Sequence, residues 1–259
     1  MRGVVAGGIG AFGSVLVVAL NAQIPPRALP DIAGLRPGIP LEDAYRLLKA
    51  YNPKATTKLG QVQIPETGTK PIPARVLFKS PAVPGMKVPD IIQLELTLPP
   101  EKPVVWGILR RLSFGAGKER NRTSLLAELR QQYGQEGQGF TVPIVNIQWL
   151  FDEPGRRAEA GAAAAGTCAL PGPWDVSLDT IGEGATSSTF PASSALLGRP
   201  ASNQGPCKPL VYVKALFQPA AGFELIESTT VAVINGALAA RAQAATAAYR
   251  ADAAKRREK

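Results

Sequence analysis

Ile92-Gln93-Leu94-Glu95-Leu96-Thr97-Leu98-Pro99-Pro100 decides the architecture. Its apolar residues occupy every second position, the period of a strand with one buried face, and the paired prolines end it. The same parity returns 119 residues downstream at Val211, Val213, Ala215 and Phe217, and Pro219 stands where Pro100 stood. Each stretch is followed by a second apolar run, at residues 104–114 and 223–234, and then by a helical segment.

Working outward, each pair of strands is preceded by a helix and a strand. Leu41, Ala44, Leu47, Leu48 and Tyr51 form a stripe at helical spacing that ends at Asn52-Pro53. Leu125, Leu126, Leu129 and Tyr133 form a second, with Asn121 or Thr123 as its cap and Gly134 as its stop. The strands after these helices are expected at residues 58–64 and 141–151. Helices and first strands are offset by roughly 80 residues and the hairpins by 119, so the second unit carries an insertion. Residues 153–209 supply it, with a low-complexity run at 161–166 and a small, polar run at 182–194. A connection of this length inside a compact domain tends to carry function or to lack order.

These features predict an α+β protein of two repeated units, each a helix packed on antiparallel strands, with a C-terminal helix. The expected boundaries are a signal peptide at 1–22, a proline-rich lead-in at 23–37, a first unit at 38–117 and a second at 118–235. An alanine-rich basic helix closes the chain at 236–259, its apolar stripe thin and its last turns expected to fray.

The N-terminal residues read as an export signal. Met1-Arg2 gives a positive start, residues 4–20 are uncharged and mostly apolar, and Leu20-Asn21-Ala22 reads as the minus-three to minus-one positions of a peptidase site. Cleavage after Ala22 is the expectation. An uncleaved anchor is the alternative, at the short limit for crossing a bilayer of roughly 30 Å. In an oxidising compartment the two cysteines, Cys168 and Cys207, are expected to pair. Closing that loop of about 40 residues would stabilise the fold by about 4 kcal/mol on the chain-entropy model.

The chemistry that the sequence excludes is extensive. The 259 residues contain no histidine, which removes Ser-His-Asp and Cys-His catalysis and zinc sites of the usual kind. No Gly-x-Ser-x-Gly elbow occurs. Asp152-Glu153 is an acidic pair at a strand end, the type of pair a glycosidase uses, and solvated surface is its ordinary meaning. We expect no catalytic residues, no metal and no cofactor.

The net charge of +9 is partly local. Arg110, Arg111, Lys118, Arg120 and Arg122 surround Gly115-Ala116-Gly117-Lys118, which lies between an expected strand and an expected helix, where backbone N–H groups can cradle an anion. It is not a Walker loop, since Leu112 stands at the first glycine and Glu119 at the magnesium-binding hydroxyl. A further basic cluster lies between Arg241 and Lys259. Trp174, in Pro171-Gly172-Pro173-Trp174, is a candidate contact anchor inside the insertion.

Residues 34–44, GLRPGIPLEDA, resemble the Gly-x-x-x-Gly-Met-Ser lead into the first helix of SmpA/OmlA-type and β-lactamase-inhibitor-protein-like modules. The resemblance implies an exported protein with helices against antiparallel sheet, in tandem in the inhibitor-like group. Pro40 replaces the usual capping Ser or Thr, and the lipid-bearing cysteine of the lipoproteins is missing. The expected role is an exported, non-enzymatic binding module, its partner an envelope or extracellular protein. The alternatives are a binder of anionic surfaces (acidic lipid, envelope polysaccharide or nucleic acid) and a hydrolase with an acidic site.

Overall fold

The computed structural model describes residues 30–68, 70–81, 86–140, 146–152, 157, 210–220 and 222–259. The fold is α+β: one antiparallel nine-stranded sheet with helices on both faces. In chain order the elements are α1 (Leu41–Tyr51), β1 (Thr56–Val62), a 3-10 turn (Pro65–Thr67), β2 (Ile72–Lys79), β3 (Met86–Leu96) and β4 (Val105–Phe114). Then come β5 (Arg120–Asn121), α2 (Arg122–Tyr133), β6 (Gln138–Phe140), β7 (Asn146–Asp152), β8 (Leu210–Pro219), β9 (Leu225–Asn235) and α3 (Gly236–Arg257). The strands lie in the order β1-β2-β3-β4-β9-β8-β7-β6, with the short β5 beside β9. Each meander therefore runs inward from an outer edge, the first ending at β4 and the second, which starts at β6, ending at β9. Their junction is the pairing of Gly107 with Ile234 through Ser113 with Ser228.

Adjacent residues of a strand point to opposite faces, so each strand contributes to two layers. On one face Val76, Phe78, Ile92, Leu94, Ile108, Val233, Val213 and Trp149 pack with Ala44 and Leu48 of α1 and Leu125, Leu126 and Tyr133 of α2. On the other, Ala74, Ile91, Trp106, Leu109, Leu150, Ala232 and Ile234 gather with Ala239 of α3. The expectation of strands with a single buried face is thereby corrected: Gln93 and Glu95 of β3, and Thr97 just after it, are as buried as their apolar neighbours. An interior strand of a sheet covered on both sides has no solvent face.

The structure also adds a strand. Residues 72–79, where no element was expected, form β2 between β1 and β3. Ala74 is an extra residue there, because Gly60 lies opposite Arg75 and Gln61 opposite Pro73. The expected strand at 58–64 is β1, and the described part of the expected 141–151 strand is β7, second from the β6 end of the sheet order.

The helix ends follow the local chemistry. Pro40 provides no side-chain cap for α1, and the Leu41 N–H donates instead to the Pro103 carbonyl at 3.1 Å. Asn121 caps α2 by accepting from the Ser124 N–H at 3.2 Å, and Gly134 ends that helix at φ +85°. The described end of the lead-in is a tight turn in which Ile32 and Leu35 exchange backbone hydrogen bonds of 3.0 Å and are both buried.

The C-terminal helix extends through Arg257. Ala239, Ala242, Gln243 and Thr246 form its buried stripe, and their small size substitutes close approach for bulk. Thr246 donates to the Pro99 carbonyl at 3.0 Å, and Arg250 clamps Glu66 of the 3-10 turn through Nε at 3.0 Å and through Nη2. The Arg250 hydrogen bond holds the Glu66 carboxyl below the usual carboxylate range. A depressed folded-state pKa contributes stability above the unfolded value that is lost as pH falls through the folded one. Acid below the ordinary carboxylate range is therefore expected to lower the amide-exchange protection factors of residues 250–257, and Glu66→Gln to lower them in the same way at neutral pH. Equal protection in wild type and variant at both pH values would show that the clamp does not hold the helix end.

Candidate functional site

The basic cluster that surrounds the β4–α2 connection is not gathered into one patch. Arg110 and Arg111 are successive residues of β4 and take opposite faces, Arg110 across from Ile92 and Val231 and Arg111 across from Ile91 and Thr230. Arg120 pairs with Glu128 in a partly exposed ion pair, and Arg122 approaches Glu224 at 3.7 Å. Lys118 is exposed in a turn closed by its own N–H to the Gly115 carbonyl at 2.8 Å. Because β5 intervenes between this turn and α2, the glycine loop does not open directly onto a helix N-terminus.

Arg110 belongs to a compact triad on the α1 face. Its Nε and Nη2 donate to the two carboxylate oxygens of Asp90 at 3.1 and 2.8 Å. The Tyr51 hydroxyl donates to Asp90 at 2.6 Å and accepts from Arg110 Nη2 at 2.6 Å. The guanidinium lies 5.5 Å from the Tyr51 ring centre, within cation–π range. Burial and the Asp90 hydrogen bond raise the Tyr51 phenol above its ordinary pKa, while the Asp90 and Tyr51 contacts outweigh desolvation and raise Arg110. The triad ties the last turn of α1 to β3 and β4.

A second constellation lies on the opposite face, where sequence reading placed only an outward glutamate. Arg75 of β2 and Glu95 of β3 are directly opposed in register. Arg75 Nε donates to Glu95 Oε1 at 2.6 Å, and Gln93 Nε2 donates to the same oxygen at 2.6 Å. Glu95 is 1% exposed and Arg75 5%, and Glu95 Oε2 has no hydrogen-bond partner. Desolvation raises the Glu95 carboxyl above the usual range, with Arg75 opposing it. Across β4 its neighbour is Gly107, which puts no side chain beside the carboxylate. The sequence signal for this pair was Arg75 itself, a cation in the otherwise apolar run Ala74–Phe78, which calls for a buried counter-charge.

Of the other expected site residues, Asp152 ends β7 opposite Leu210. Glu153, Cys168, Trp174 and Cys207 lie outside the described residues, as does the segment 1–22. Among the described residues no group of three or more His, Cys, Asp or Glu could hold a metal ion, and no helix is long and apolar enough to cross a membrane. Comparison with known protein families, curated proteins and solved structures finds no match.

Proposed function

We propose that the protein is an exported, non-enzymatic binding module whose partner is an envelope or extracellular protein. The pairing of Arg110, Arg120 and Arg122 with Asp90, Glu128 and Glu224 carries this reading. Cations already matched to carboxylates leave little free charge for an anionic ligand at that site, which favours a protein partner over acidic lipid, polysaccharide or nucleic acid there. The helix-and-four-strand order on either side of the β4–β9 junction supports an ancestral duplication, in keeping with the resemblance to tandem inhibitor-like modules.

In this reading the insertion of the second unit is the contact element, with Trp174 as an anchor and Cys168–Cys207 as its tether. The paired positions of Asp152 and Leu210 support it, because residues 153–209 leave and rejoin neighbouring strands at facing residues. Sequence can be added at such a point without changing the sheet register. The test replaces 153–209 with a short glycine-containing turn and compares both proteins as baits against envelope extracts. A partner enriched over an unrelated basic control by the full chain and lost with the shortened one is expected. Equal capture by both would place the contact elsewhere, and no enrichment over the control would overturn the binding role.

Exposed Lys255, Arg256 and Arg257 at the end of α3 favour the anionic-surface reading as the second one. It requires binding to acidic vesicles that weakens with added salt.

A further inference from the structure

We infer that β1 is a pairing edge for a second copy of this chain, joined antiparallel strand to strand about Leu59. The inference goes beyond the proposed binding role and does not depend on it. β1 ends the strand order, and its only strand partner among the described residues is β2. Thr56, Lys58, Leu59 and Gln61 are all exposed, so the outer side of the strand is open.

Two of the large exposed hydrophobic residues lie on one face of the sheet beside this edge. Leu59 is 39% exposed and Tyr51 is 41% exposed. Leu59 lies opposite Val76 and Thr57 opposite Phe78, which puts both on the face where the Tyr51 ring approaches Phe78 at 6.5 Å. An open apolar edge is a template for another strand, and proteins that avoid such pairing distort the edge or charge it. Here the irregularity falls on β2, where Ala74 is the extra residue, and not on β1. The one charge on the strand, Lys58, lies opposite Leu77 and therefore on the face away from Leu59.

The strand is self-complementary about Leu59. Antiparallel pairing centred there sets Leu59 against its mate, Lys58 against Gly60, Thr57 against Gln61 and Thr56 against Val62. No like charges are opposed, and glycine leaves room for the lysine stem. The match is isologous, the geometry of a two-fold dimer.

Sedimentation velocity of the full chain over a wide concentration range tests this. A monomer–dimer equilibrium is expected, weakened about tenfold or more by Leu59→Asp, which opposes two carboxylates at the two-fold. Circular dichroism checks that the variant stays folded. Leu59→Cys gives a second readout: under oxidation it should yield a dimer linked 59 to 59, whereas Ala248→Cys, exposed on α3, should not. A chain that stays monomeric throughout, a dimer indifferent to Leu59→Asp, or equal cross-linking at Ala248 would overturn the inference.

Discussion

Glu95→Ala is expected to cost about 3–5 kcal/mol of stability, because it leaves the Arg75 guanidinium buried without its carboxylate. Urea unfolding measures it as a lower midpoint at similar slope. Glu95→Gln should cost less, since an amide oxygen can still accept from Arg75 and Gln93. The double change Arg75→Met with Glu95→Leu should recover most of the loss, as apolar replacements of buried ion pairs often do. The raised Glu95 pKa sets the sign of the pH effect: its stabilising contribution is complete below the ordinary carboxylate range and declines as pH rises through the raised value. Glu95→Gln should remove that decline. An unchanged midpoint for Glu95→Ala would mean that the pair carries no part of the fold's stability.

Trp149→Ala is the second large effect, expected at about 3–5 kcal/mol from the lost burial and the cavity together. Trp149 is fully buried, its ring lies 5.5 Å from that of Tyr133, and its indole N–H donates to the Gly134 carbonyl at 2.8 Å. The substitution therefore empties space between sheet and α2 and also strips a helix-ending residue of a hydrogen bond. Trp149→Phe should keep much of the packing but not the hydrogen bond, and should fall between the two. Thermal unfolding of the three proteins gives the order. A Trp149→Ala protein as stable as wild type would show that α2 does not depend on this contact.

What the sequence makes legible is what obeys a single period. The stripe from Leu41 to Tyr51 and the Asn121 to Gly134 signals give α1 and α2 with their ends. Alternation from Ile92 to Leu98 gives β3, though not its second buried face, because a polar residue satisfied inside the sheet has the same one-letter pattern as one facing water. β2 was hidden by Pro71, Pro73 and Arg75, which interrupt alternation, and by apolar residues on successive positions. The basic cluster was legible as charge but not as pairing. Asp90, Glu128 and Glu224 lie 20, 8 and 102 residues from their arginines, and only the fold brings the more distant ones together.

The meeting of β4 and β9 has a consequence for how the molecule is made. These strands occupy residues 105–114 and 225–235, so the centre of the sheet closes across more than a hundred intervening residues. Contacts so far apart in sequence must overcome the entropy of a large loop before they return any stabilisation, and they slow folding. Until β9 arrives, β4 presents an unpaired interior edge, with apolar residues on both faces beside Arg110 and Arg111, to any other strand nearby. The middle of the finished sheet is thus its late-forming part, and the interval before it closes is when this chain is most open to pairing with the wrong neighbour.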